Sequence, residues 1–66
     1  MIKILELHSE GIVNGKMHAR CDISVADSSE LATETDNTVF TEGSIAWDIS
    51  TGDFYGLAGE QWIKQG

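Results

Sequence analysis

Cysteine is nearly missing from this chain, and cationic side chains are scarce. Cys21 is the single cysteine among 66 residues, so no intramolecular disulfide forms and a four-cysteine zinc cage is excluded. A lone thiol suits a reducing compartment. The four basic residues are Lys3, Lys16, Arg20 and Lys64, and none falls between Cys21 and Ile63, a stretch holding nine acidic residues. At a net charge of −7 such a surface repels phosphate, which argues against direct binding of nucleic acid or an anionic membrane. No apolar run approaches the length of a membrane span, and Glu6 interrupts the first apolar stretch where a signal peptide needs continuity. The expectation is a chain made in a cytoplasm and soluble there. Proline is absent, and there are no internal repeats, low-complexity tracts or domain-separating linkers, so residues 1–66 read as one small β domain.

So short a chain buries only about 60% of its unfolded surface. Lacking a disulfide, it needs an unusually efficient core or association with itself or another protein.

What is present is period-two patterning. Ile2 to Leu7 carries apolar residues on both sides, which predicts a strand covered on both faces. His8-Ser9-Glu10-Gly11 reads as a turn. Asn14-Gly15, after Ile12-Val13, is the strongest hairpin signal, because both residues tolerate positive φ. From Lys16 to about Val25, Met17, Ala19, Cys21, Ile23 and Val25 share one face of a half-buried strand, and Lys16, His18, Arg20, Asp22 and Ser24 share the other. Asp27 with Glu30 three residues on resembles a capping box, which predicts one or two helical turns through Leu31 and Ala32. Thr33 to Thr38 reads as loop, and Val39-Phe40 as a short apolar plug.

The last third predicts a three-stranded meander. Ile45, Trp47 and Ile49 alternate with Ser44, Ala46 and Asp48; Phe54, Gly56 and Ala58 alternate with Tyr55 and Leu57; Trp62 and Lys64 oppose Ile63. Ser50-Thr51-Gly52-Asp53 and Ala58-Gly59-Glu60 are its turns. Gly56 inside a strand predicts a bulge or the close approach of an aromatic ring. The fold class is therefore mainly β: an antiparallel meander and hairpin domain of about five short strands, in two antiparallel groups, with one short helical turn between them. Its edge strands need protection, which a partner supplies.

Chemistry-bearing motifs are few. His18 and Cys21, three apart on a strand, point to opposite faces and do not share a metal. Asp48 to Asp53 begins like a calcium loop, but the glycine falls at the fifth position and Gly59 stands where a bidentate Glu belongs, so turn chemistry explains it better. Asp48 and Asp53 flank that turn and read as solvated, unlike a general acid. There is no G-x-S-x-G elbow and no phosphate loop. The expectation is no enzyme and no cofactor. Four of the five aromatics, Trp47, Phe54, Tyr55 and Trp62, lie in the meander, either as cross-strand core pairs or as a binding surface. So thin a sheet does not readily bury both tryptophans, so one of them is expected to face a partner. These four are the candidate anchors, and the basic face of the second strand, Lys16 and Arg20 with His18, is the candidate for pairing with acidic neighbours, including another copy of the chain.

Gly43-Ser44-Ile45-Ala46, Thr51-Gly52-Asp53-Phe54-Tyr55-Gly56-Leu57 and Trp62-Ile63-Lys64 together resemble a pattern in short acidic proteins encoded among the structural genes of tailed bacteriophages and prophages of Gram-positive hosts. A G-S-x-A strand, a T-G-D turn, an aromatic strand and a final tryptophan strand recur there. Lys3 to Leu7 and Gly11 to Lys16 are similar to their N-terminal strands, so the likeness covers most of the chain. The missing proline near Ala32 departs from it. The resemblance implies a virion component without activity, in contact with larger capsid or tail proteins, most naturally a capsid accessory or decoration protein, with a neck or tail position next. Two other readings stand beside it: an acidic nucleic-acid mimic that inhibits a host protein, supported by the acid-only stretch, and a tail or baseplate sugar-binding module using Trp47 or Trp62.

Overall fold

The computed structural model describes residues 1–65. It holds six strands, β1 (Lys3–Val13), β2 (Lys16–Val25), β3 (Thr38–Phe40), β4 (Ile45–Asp48), β5 (Phe54–Ala58) and β6 (Gln61–Lys64). All belong to one sheet in the order β1-β2-β4-β5-β6, with β3 also paired to β2. The mainly β class read from the alternation is the observed one.

Local chemistry builds the turns. Asn14 and Gly15 both take positive φ, 53° and 80°, and close the β1–β2 hairpin directly, Val13 opposite Lys16. Gly59 and Glu60 do the same for β5 and β6, leaving Ala58 opposite Gln61. Asp27 accepts from the Ser29 N–H, and Glu30 reaches back to the Ala26 N–H. These bonds cap a single 3-10 turn, Ser28–Glu30, which stops before the Leu31 and Ala32 that the capping signal was expected to include.

β2 is the centre of the sheet. One edge pairs antiparallel with β1 along its length. The other edge pairs in parallel twice, Met17 to Ala19 with β3 and Asp22 to Val25 with β4. The two antiparallel groups expected from the sequence are thus joined into one sheet by parallel pairs. A gap between β3 and β4 is left opposite Arg20 and Cys21, and the Thr41–Ser44 corner fills it. The Thr41 N–H donates to the Ala19 carbonyl at 2.9 Å. The Cys21 N–H donates to Ser44 Oγ at 3.0 Å, and that hydroxyl donates onward to the Thr41 carbonyl at 2.7 Å. Ser44 is fully buried, and its hydroxyl stands where a strand carbonyl would be.

The core lies on one face of this sheet. Ala19, Cys21, Ile23, Ala46 and Leu57 are buried there with Phe40, and Ile2, Met17, Leu31, Tyr55 and Trp62 pack around them. Phe40 on β3 meets Trp62 on β6 edge to face, centroids 6.3 Å apart, so the sheet curls. The Trp62 indole N–H donates to the Ala32 carbonyl at 3.0 Å, tying the 31–33 segment over the core. The Val39-Phe40 plug is thereby a strand of the sheet, with Phe40 reaching the core.

Three further expectations change. His8 to Gly11 is no turn: β1 runs through it, with register irregularities between Ile4 and Glu6 and between Ser9 and Gly11. Gly11, at φ 138°, absorbs the second as a bulge. β1 is not covered on both faces; it is an edge strand with all eleven residues exposed. Gly56 sits in regular pairing between Ile45 and Ile63. The group lying across it is the Gln65 amide, 3.2 Å from where a Cβ would stand, rather than an aromatic ring.

Replacing Ser44 with Ala leaves the buried Cys21 N–H without its acceptor. Urea unfolding of Ser44→Ala is expected to show a loss of about 1–3 kcal/mol; unchanged stability would mean the β3–β4 corner does not depend on that hydroxyl.

Candidate partner-binding surface

The meander shows its apolar side to solvent. Residues paired across strands share a face, so Ile45 and Trp47 of β4, Phe54, Gly56 and Ala58 of β5, and Ile63 of β6 line the outer surface. Ile45 is 43% exposed, Trp47 39%, Phe54 51% and Ile63 47%. Trp47 and Phe54 stack, centroids 6.4 Å apart and planes 13° from parallel. Over Gly56, which has no side chain, an open groove of about 460 Å³ runs between Ile45, Phe54, Ile63 and Gln65.

Polar residues hold this orientation in place. The inward side of β4 carries Ser44, Ala46 and Asp48, all buried. Asp48 is 2% exposed and accepts from the Ser50 hydroxyl at 2.6 Å and the Ser50 N–H at 2.9 Å. A one-residue slip of β4 would bury Ile45 and Trp47 but take the Ser44 hydroxyl off the Cys21 N–H and the Asp48 carboxylate off the Ser28 N–H. Asp48, expected to be solvated, is therefore an internal pin, and Gly52 with φ 81° completes its turn.

The six candidate residues from the sequence fall in three places. Trp47 and Phe54 form the outer stack. Tyr55 and Trp62 lie on the inner face and pack against the core, so of the two tryptophans Trp47 is the one more open to solvent. Lys16 and Arg20 lie on the outer side of β2 with internal partners: Lys16 with Glu34 at 3.4 Å and Arg20 with Asp22 at 3.2 Å. Such half-exposed pairs contribute little to stability. Ile45 and Ile63 were not among the candidates. The alternation that grouped Ile45 with Trp47 was the available signal, since one exposed member implies the other.

Elsewhere the chemistry is quiet. His18 and Cys21 occupy opposite faces of β2, as the alternation requires. Burial, and then the neighbouring Asp22, push the Cys21 thiol pKa up, which keeps it protonated and unreactive. Among the described residues, no three His, Cys, Asp or Glu side chains gather as a metal site, and no helix is long and apolar enough to cross a membrane.

Compared with family models, curated proteins and solved structures, the chain matches none.

The Ser50 hydroxyl, with backbone N–H groups of Ser50, Thr51 and Ser28, lowers the Asp48 carboxyl below its ordinary value of 3.8. A depressed folded pKa gives stability that is present above the unfolded value and lost as pH falls through the folded one. Denaturant unfolding from about pH 5 down to about pH 2 should show this acid loss, and Asp48→Asn should flatten that part of the slope. An unchanged slope in Asp48→Asn would assign the acid sensitivity to other carboxylates.

Proposed function

We propose that this chain is a non-enzymatic accessory protein that seats the outer face of its meander on a larger protein. We place it in the virion of a tailed bacteriophage, on the capsid ahead of the neck or tail. The observation that carries the docking is the outward apolar face, with Trp47 stacked on Phe54 beside a groove over Gly56. Apolar patches of this kind, held open by a polar interior, belong to interaction surfaces. The phage setting rests on the resemblance of the Gly43–Lys64 segment to small virion proteins.

The chemistry of the partner follows from the surface. An apolar side chain fills the groove, and cationic groups meet Glu42 and Glu60, which stand exposed at the same end of the strands. The groove suits a protein side chain better than a sugar: its lining is mostly apolar, with Gln65 the long polar side chain beside Gly56, and a sugar needs several hydrogen-bond partners. The nucleic-acid-mimic reading has less support, because Asp48 is buried, Asp22 faces Arg20 and Asp53 faces Lys64, which breaks any ladder of free carboxylates.

Mass spectrometry of purified particles, from cells expressing wild-type or variant chain, tests the reading. The wild type should co-purify with the particle. Phe54→Lys and Ile63→Lys should lower its occupancy about tenfold or more, with unfolding midpoints near wild type because both side chains are exposed. A chain abundant in infected cells and missing from particles would overturn the proposal.

A further inference from the structure

A second surface, distant in sequence from the meander groove, has a different partner. We propose that β1 is a self-association edge: two copies pair antiparallel through β1 about a two-fold axis at His8, making one continuous sheet. This inference does not rest on the virion reading.

The edge is long and open. β1 has eleven residues, every one exposed, and among the described residues it pairs with β2 alone, which leaves its other backbone edge open to a strand. Its apolar side chains are exposed too, with Ile12 at 73%. By their partners on β2, Ile4, Leu7, Ser9 and Ile12 share the inner face of the sheet, and Lys3, Glu6, His8 and Val13 the outer.

Symmetry then selects one register. Directly opposed residues of antiparallel strands share a face. Pairing centred on His8 sets Lys3 against Val13 of the second copy, so the whole strand overlaps. It places Ile4 opposite Ile12 and Leu7 opposite Ser9, inner face against inner face, and sets the two bulge residues, Leu5 and Glu10, against Gly11 and Glu6. Centring on Leu7 loses the apolar Ile4–Ile12 pair, since Ile4 then meets Glu10 and Ile12 falls opposite Ile2, outside β1, and centring between Leu7 and His8 sets inner against outer. The His8 register also sets Glu6 directly opposite Glu10 of the other copy, twice by symmetry, a like-charge contact that weakens the pairing; within its own chain Glu6 lies 2.8 Å from His8, and Glu10 accepts from the Thr41 hydroxyl at 3.0 Å.

Charge decides for a second copy over a foreign strand. The β1–β2 hairpin holds three basic and three acidic residues, whereas the rest of the chain holds one lysine against eight acids. The hairpin is the neutral part of a strongly acidic molecule, so it is where two copies meet with least repulsion. The contact also closes on itself. Each copy uses its one long edge, and β6, the opposite edge, has four residues, so assembly stops at two.

Sedimentation equilibrium of the full chain, with cysteine cross-linking, tests this. The wild type should show a monomer–dimer equilibrium. Ile12→Lys should weaken it about tenfold or more, with an unchanged circular dichroism spectrum and unfolding midpoint at low concentration. In the His8 register the two His8 Cα atoms lie about 4.5–5.5 Å apart, within disulfide reach. His8→Cys should therefore form a covalent dimer under mild copper–phenanthroline oxidation far faster than Ile49→Cys, an exposed control outside the hairpin. A chain that stays monomeric at about 1 mM, a dimer unaffected by Ile12→Lys, or His8→Cys oxidising no faster than Ile49→Cys would each overturn the proposal.

Discussion

Strand β2 has backbone groups to satisfy along both edges, and the fold follows from how it does so. One edge is met by β1 through a two-residue turn, a local and inexpensive closure. The other edge has no single partner of its length. It takes β3 for three residues and β4 for four, both in parallel, and parallel pairs need long connections to form. The 26–37 segment and the Thr41–Ser44 corner supply them. The Ser44 hydroxyl closes the gap, since a buried N–H at Cys21 without an acceptor would cost more than the hydrogen bond itself contributes.

That corner also fixes what the meander shows to solvent. Ser44 and Asp48 lie on the same side of β4 and both are buried, Ser44 bonded to the Cys21 N–H of β2 and Asp48 to Ser50 of its own turn. Ile45 and Trp47 must then point outward, with Phe54 and Ile63 beside them. A meander that turns Ile45, Trp47, Phe54 and Ile63 outward, with Leu57, Tyr55 and Trp62 left for the core, is a poor arrangement for an isolated domain and a good one for a protein held by a neighbour. The core is correspondingly slight: its floor is mostly small, Ala19, Cys21 and Ala46, and Phe40, Tyr55 and Trp62 reach in from the surrounding strands. Sub-minimal burial and an outward apolar face are two results of the same register.

Much of this was legible in the chain. The β2 alternation assigned both faces correctly from Met17 to Val25, and Asn14-Gly15 located its hairpin because few residues other than Asn, Asp and Gly accept two consecutive positive φ values. Alternation says which residues share a face, however, and not which face is inward. Alternation separates Phe54 from Tyr55 without saying which of them is buried, and the four meander aromatics stood as one set of anchors although Trp47 and Phe54 face out and Tyr55 and Trp62 face in. The parallel junction left no local signal, because pairing between β2 and β4 depends on residues more than twenty positions apart. His8 to Gly11 carried turn composition, yet in a strand with an open edge polar residues and a glycine fit a bulge equally well. Asp48 looked solvated because buried carboxylates are rare; its Ser50 partner, two residues on, was read as ordinary turn chemistry.

Native-state amide hydrogen exchange, read residue by residue, tests most directly whether β2 is the hub of the fold. Amides of β2 from Ala19 to Val25 should exchange slowest in the chain, and Cys21 should be among them although its acceptor is a side-chain hydroxyl. Rapid exchange at Cys21 and Ile23, with protection confined to the β1–β2 turn and the β5–β6 hairpin, would contradict the account: the two antiparallel groups would then be separate, and the outward face of the meander would not be fixed by β2 at all.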